Sequence, residues 1–178
     1  MKCKTKLCKK YLKECFYFLG EHLYWKKRPL HHFKNARSQK SFNSNFSNKR
    51  AGSVRSDGYL CVVLDGKRHL VHRVVWVIKK GFNPEFIDHI DGDRLNNQIS
   101  NLREVSKGQN NQNSSIRTDN KSGIVGVSWY KNYSKWLVKI SNTHIGYFDC
   151  FFLACCARKS AESKLGYHSN HGKQKWKT

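Results

Sequence analysis

The chain has 178 residues, with 34 Lys and Arg against 12 Asp and Glu, for a formal net charge of +22. An imbalance of that size repels itself in a compact fold and calls for a polyanionic partner, while an apolar share of 38% is small for one large core and suits two modest ones. No apolar run approaches the roughly 20 residues that cross a bilayer, so no membrane partner is expected, and 5 Trp, 8 Tyr and 10 Phe exclude a merely disordered basic tail. Composition alone still admits a structural RNA binder beside a DNA-binding protein.

Met1 to Lys10 is basic but has neither an apolar core nor a small-residue cleavage site, so it is not a secretory signal and a cytoplasmic location is expected. Cysteines stand at positions 3, 8, 15, 61, 150, 155 and 156 without a C-x2-C pair, which predicts reduced, mostly buried thiols and no structural zinc. Residues 9–19 suit a short helix and Glu21 to Lys26 a strand. Lys34 to Arg50 reads KNARSQKSFNSNFSNKR, a polar stretch expected to be a loop. Residues 1–50 are thus a basic region of uncertain fold.

Beyond Gly52 the signals sharpen. Asp57-Gly58 is a turn dipeptide, and Tyr59 to Leu64, Asp65-Gly66 and Arg68 to Leu70 read as a tight hairpin. Val71, Val74, Val75 and Ile78 recur on one helical face that Gly81 ends.

The segment from Ile87 to Asn113, IDHIDGDRLNNQISNLREVSKGQNNQN, carries the chemistry. Asp88 and His89 end a short strand, an Asp/Asn/Gly loop follows, and Asn101-Leu102-Arg103 returns. Ser106 and Gln109 match a capping box, so a helix is expected to start there and to carry Asn110 opposite Asp88. Phosphodiester cleavage needs an activated water and stabilisation of the leaving oxygen. A neutral imidazole, His89, supplies a general base, and a hard divalent cation on the Asp88 carboxylate and Asn110 amide oxygens supplies the charge. An EF-hand loop does not fit the same carboxylates: counted from Asp93 the sixth position is Gln98 rather than Gly, and counted from Asp91 the twelfth is Leu102 rather than Glu.

The run D-H-I-D-G-D, with Asn101 and Asn110 following it, resembles the HNH endonucleases of the phage homing type. That resemblance implies a ββα-metal fold in which Asp88 and Asn110 hold the cation, His89 activates water and Asn101 orients the hairpin. The L-V-H-R-V-V-W run, Leu70 to Trp76, resembles the helix ahead of the motif in these enzymes, which makes His72 and Arg73 active-site neighbours or phosphate contacts. Arg103 joins them as a candidate DNA contact. The third letter of the motif is Asn110 rather than His, and an amide oxygen suits Mg2+ or Mn2+ better than Zn2+.

After the polar stretch Asn110 to Ser122, strands are expected at Gly126 to Trp129, around Trp136 to Ile140, and at Thr143 to Phe148. A helix is expected to follow, capped by Asp149, running to Leu165 with Ala157, Ala161 and Leu165 on one stripe. The order S-G-I-V-G-V-S-W, K-W-L-V-K-I, H-I-G-Y-F-D and a helix ending K-L-G resembles the plant apetala and ethylene-response-factor DNA-binding domain. That resemblance implies a sheet lying in the major groove, with Trp129, Lys131, Lys135, Leu137, Lys139 and Tyr147 facing DNA. Val125 and Ser128 stand where the plant domains carry arginines, which points to backbone and shape readout rather than a base code.

The expectation is an α+β protein: residues 1–50, an HNH nuclease domain over 51–116, a linker at 117–121, and an apetala-like domain over 122–178. It would act as a monomer on double-stranded DNA with Mg2+ or Mn2+. A non-catalytic DNA-binding regulator on the same scaffold is the alternative.

Overall fold

The structure, a computed structural model, describes residues 7–112, 116–168 and 171–172. Cys3 and most of the Met1 to Lys10 segment lie outside the described residues. The chain divides into two units, Met1–Val105 and Ser106–Thr178, and the secondary structure is mixed, with small antiparallel sheets. Among the described residues no helix is long and apolar enough to cross a membrane.

In the first unit, α1 (Lys9–Cys15) runs directly into β1 (Phe16–Leu19), which pairs antiparallel with β2 (His22–Trp25). A helix of 7 residues without a side-chain cap is too short to persist alone, and it is held by burying Leu12 and Cys15 on one face. Residues 7–50 therefore share the core of this unit: Leu12, Phe16, Leu23 and Trp25 pack with Val74, Trp76 and Val77.

The polar stretch read as a loop forms α2 (Ala36–Phe46), an 11-residue helix with no buried residue. Its start is capped by the Asn35 side chain, which accepts from the Ser38 N–H at 2.9 Å. Its docking joins amide hydrogen bonds to one aromatic contact with the core. Asn43 accepts from the Arg28 N–H at 2.9 Å and donates to the Arg28 carbonyl at 3.0 Å, Gln39 donates to the same carbonyl at 3.1 Å, and Phe42 meets Trp25 edge-on. Apolar periodicity cannot reveal a helix held by amides.

The short strand β3 (Ser53–Val54) pairs with β4 (Leu60–Leu64), which forms the expected hairpin with β5 (Lys67–Leu70). Asp65 and Gly66 have φ of 51° and 76°, the left-handed pair that matches strand twist in a two-residue turn. The helix α3 (Val71–Lys80) ends at left-handed Gly81, whose N–H bonds the Val77 carbonyl at 3.0 Å. It buries not only the expected stripe but also His72, Trp76 and Val77. Last come β6 (Phe86–His89), a one-turn helix at Ile99–Asn101 and β7 (Leu102–Val105), with β6 and β7 antiparallel.

The second unit opens with α4 (Lys107–Gln112). Its capping box forms as expected: the Ser106 N–H donates to Gln109 Oε1 at 2.9 Å and the Gln109 N–H to Ser106 Oγ at 3.2 Å. The strands β8 (Val127–Tyr130), β9 (Lys135–Ile140) and β10 (Thr143–Phe148) form an antiparallel sheet in the order β10-β9-β8. Val127, Val138 and Ala154 centre a small core between this sheet and α5 (Phe151–Lys164).

Two local expectations for α5 are corrected. Cys150, not Asp149, holds the cap position and makes no side-chain capping bond, while Asp149 pairs with Lys135 at 3.2 Å. The inward stripe is Ala154, Arg158 and Glu162 rather than Ala157, Ala161 and Leu165. Arg158 is 2% exposed. Its guanidinium donates to Glu162 at 2.8 Å and to the Lys139 carbonyl at 2.5 Å, and it contacts His171 at 3.1 Å. Gly126, at φ 77°, lies beneath this group: a Cβ there would collide with the Lys139 carbonyl oxygen. The described cysteines are free thiols as expected, but only Cys15 and Cys61 are buried, since the α5 face that carries Cys156 is exposed.

Candidate active site

The β6–β7 hairpin and its loop form one hydrogen-bonded unit. Asn101, buried at the base, donates to Asp91 Oδ1 at 2.8 Å and to the Asn96 carbonyl at 2.9 Å, and its Oδ1 accepts from the Asp91 N–H at 3.0 Å. Asn96 donates to the other Asp91 oxygen at 2.7 Å, and the Asp93 N–H to Oδ1 at 2.8 Å. Partial burial opposes the Asp91 charge, but these donors outweigh it and hold the carboxyl below its ordinary range.

This loop returns onto His89. The imidazole is 5% exposed, and its Nε2 lies 3.2 Å from Asn97 Oδ1. The Asn97 amide donates to the Leu95 carbonyl at 3.0 Å, which turns its oxygen towards the ring. Nε2 is therefore the protonated nitrogen and Nδ1 carries the lone pair. Burial pushes the His89 pKa down, against the Asn97 bond and the charges of Asp91, Asp88 and Asp93, so the neutral form prevails at neutral pH.

Two further rings fix its faces. His72 of α3 meets His89 edge-on at 5.0 Å, Tyr59 lies 5.5 Å from His72 and 6.0 Å from His89, and Arg94 covers Tyr59 at 4.5 Å. His72 Nδ1 is buried with no hydrogen-bond partner among the described residues. Burial, then the neighbouring His89 and Arg73 charges, push the His72 pKa down to about 3. The unfolded chain takes up a proton near 6.5 that the folded chain refuses, so this group destabilises the fold increasingly as pH falls from 6.5 towards 3. His72→Phe is expected to remove that part of the acid dependence, raising Tm more at pH 5 than at pH 8. Equal shifts at both pH values in thermal melts would refute the assignment.

Asp88, which alternates with His89 along β6, faces Arg103 across the register, and the guanidinium donates to Oδ2 at 3.1 and 2.8 Å. Arg103, expected on DNA, is thus engaged on Asp88. Arg73 is likewise engaged within the unit, donating to Asn83 Oδ1, the Pro84 carbonyl and the Glu85 carbonyl at 2.9, 2.8 and 2.6 Å. It straps the α3–β6 connection. Asn110 stands in α4 of the second unit, its N–H bonded to the Ser106 carbonyl at 2.9 Å.

Residues paired across an antiparallel sheet share a face. Lys135 pairs with Tyr130, Leu137 with Ser128 and Tyr147, and Lys139 with His144, so Lys135, Leu137, Lys139 and Tyr147 lie together on the face away from α5. Trp129 does not. It pairs with Trp136, meets it edge-on at 5.2 Å, and belongs at the rim of the α5 side because its strand parity matches Val127. Lys131 lies in the one-turn helix between β8 and β9.

Sequence reasoning missed Asn97, Tyr59 and Arg94. The one available signal was the Asn96-Asn97 pair inside the loop. It also missed Glu14, His31 and His32, whose candidate ligand atoms lie within 4.8 Å of one another. Both imidazole Nε2 atoms approach Glu14 Oε2, at 3.3 and 2.8 Å, but His32 Nδ1 accepts from buried Arg28 Nε at 3.2 Å. That bond puts the His32 proton on Nε2, facing Glu14, so the cluster is hydrogen-bonded in a way that leaves no His32 lone pair for a cation.

Residues 69–112, which contain the His72–His89–Asn97–Asn101 assembly and Asp88, match the family described as HNH endonuclease. The chain is 39% identical over 67 residues to Protein 3.8 of Escherichia phage T7, covering 36% of this chain and 55% of that protein. It is 38% identical over 81 residues to the Uncharacterized HNH endonuclease L560 of Acanthamoeba polyphaga mimivirus, covering 44% and 42%. The chain spans about half the length of these curated relatives. No solved structure matches it. The HNH segment makes a nuclease acting on DNA the class to test.

Proposed function

We propose that the protein is a divalent-metal-dependent DNA endonuclease of the homing type, hydrolysing phosphodiester bonds with His89 as general base. The observation that carries this reading is the His89–Asn97 contact: it presents a neutral imidazole with Nδ1 basic, inside the segment that matches the HNH family. Asn101 holds the loop that delivers Asn97.

Asp88 and Asn110 are the proposed cation ligands, in the ββα arrangement that the HNH resemblance implies. The donor set, a carboxylate and an amide oxygen, is the kind that a hard cation takes, and in the structure the Asp88 carboxylate is engaged by Arg103. When bound, Mg2+ or Mn2+ would stabilise charge on the leaving oxygen. His89 takes the proton of the attacking water at Nδ1, and Asn97 stabilises the resulting imidazolium through its Nε2–H. Arg103 neutralises Asp88 in the absence of a cation and would pass to a substrate phosphate when one binds.

The second unit is proposed to hold the duplex as an apetala-like domain, through Lys135, Leu137, Lys139 and Tyr147 with Lys131 beside them. The protein is proposed to act as a monomer in the cytoplasm of the host cell. Lys131→Ala with Lys139→Ala is expected to lower the slope of log Kd against log salt by about 2, at about 0.9 for each phosphate that a lysine no longer neutralises. An unchanged slope would remove this face from the interface.

The test of the activity is cleavage of plasmid and phage DNA in Mg2+ or Mn2+ beside an EDTA control. Metal-dependent conversion of supercoiled to nicked or linear DNA supports the reading. The Asp88–Arg103 pair favours a second reading, a DNA-binding regulator whose cation site is permanently filled by arginine. Tight DNA binding without cleavage of a substrate known to contain the site would establish it.

A further inference from the structure

In the first unit, α1, β1, the residue after β2 and the end of α3 enclose an open cleft of about 430 Å³. Lys9, Lys13, Lys26 and Lys79 line it together with Phe18 and Tyr17, and none of its described lining residues is acidic. The four ammonium groups come from three separate segments of the chain, so the fold, rather than a local run of lysines, gathers them. Lys9 and Lys13 share a face of α1 at i, i+4, where like charges repel. The Lys79 ammonium lies 4.3 Å from the centre of the Phe18 ring, Lys26 donates to the Lys13 carbonyl at 2.8 Å, and Lys9 lies beside Gly81 at the end of α3. These contacts orient the side chains but neutralise none of them.

We infer that this cleft is a binding surface for the sugar-phosphate backbone of duplex DNA, an anchor on the nuclease unit separate from the β8–β10 sheet. The inference rests on the nuclease reading for its choice of polyanion. Charge complementarity selects the occupant: cations without carboxylates gain by releasing the counterions condensed on a polyphosphate, and the mostly apolar remainder of the lining offers no base-specific donors. The placement also fits. His72 beside His89 and Lys79 at the cleft stand on the same helix, seven residues apart, which is about 10 Å of helix rise. About three base-pair steps span that distance along the duplex axis, at roughly 3.4 Å each. A duplex engaged at His89 therefore passes within reach of the cleft.

The test compares the full chain with a Lys9→Gln, Lys13→Gln, Lys79→Gln variant, measuring binding to a fluorescent duplex in EDTA by anisotropy across a salt series. The expected result is a loss of affinity of about 10- to 100-fold at moderate salt and a salt slope shallower by about 2 to 3. The triple Lys→Arg variant is expected to bind as the wild type does, which separates lost charge from lost folding, and thermal melts check both. Unchanged affinity and slope in the Gln variant would overturn the inference, as would equal loss in the Arg variant with an unchanged Tm. Stronger competition by hairpin RNA than by duplex would reassign the cleft to RNA. Because the readout is made without metal, absence of cleavage in the wild type would count against the nuclease reading alone.

Discussion

Replacing His89 with Ala is expected to reduce metal-dependent DNA cleavage by about 10²- to 10⁴-fold, the range supplied by a positioned general base. The reason is local. Asn97, held by the Leu95 carbonyl, keeps the proton on Nε2 and leaves Nδ1 as the base, while burial keeps the ring neutral. Removing the ring leaves any cation to act on water without a proton acceptor. DNA affinity in EDTA should remain within about 2-fold, because a neutral buried imidazole makes no contribution to the phosphate term that dominates binding. Added imidazole should restore part of the cleavage. Single-turnover cleavage beside anisotropy separates the two effects, and cleavage unchanged in the Ala variant would take His89 out of the mechanism.

The second large effect is structural and lies in the second unit. Arg158→Ala is expected to destabilise that unit by about 3–5 kcal/mol, the cost of removing one partner from a buried ion pair. Glu162, 6% exposed, would keep Lys159 at 2.8 Å but lose the guanidinium at 2.8 Å, and the Lys139 carbonyl would lose its donor. The lesion falls at the joint between β9 and α5, next to Gly126, where the packing leaves no room for a substitute side chain. Urea denaturation followed by tryptophan fluorescence should show an early transition reporting Trp129 and Trp136. A midpoint close to the wild type would mean that water or Lys159 replaces the guanidinium without cost.

These two sites were unequally legible. Asp88, His89 and Asn101 stood in a run whose spacing carries its own meaning, and Ser106-x-x-Gln109 forms the capping box that its residue types dictate. Asn97 did not stand out, because its role depends on a loop folding back on His89, and the contact spans eight residues of irregular backbone. His72 was marked by its helix but not by its partner: only the packing of α3 against β6 brings the two imidazoles edge to edge. On α5, a charged i, i+4 pair reads as a solvated surface, yet Arg158 and Glu162 face inward because β9 offers a carbonyl that a guanidinium can reach.

Local chemistry, then, was decided by the sequence itself. Hairpins at Asp65-Gly66, the stop at Gly81, the alternation of β9 and the cap at Ser106 depend on neighbours a few residues away, and the same is true of the acid–imidazole dipeptide at the end of β6. Tertiary structure alone decided what depends on distant partners. It made α2 a helix by giving its amides the Arg28 backbone to bind, engaged Arg73 and Arg103 on partners of their own, set Trp129 on the α5 side of its sheet, and gathered lysines from α1, the end of β2 and α3 into one cleft. The physical reason is the same in each case: hydrogen-bond geometry and charge satisfaction are settled by which groups meet in space, and a pattern of apolar residues records burial without recording partners.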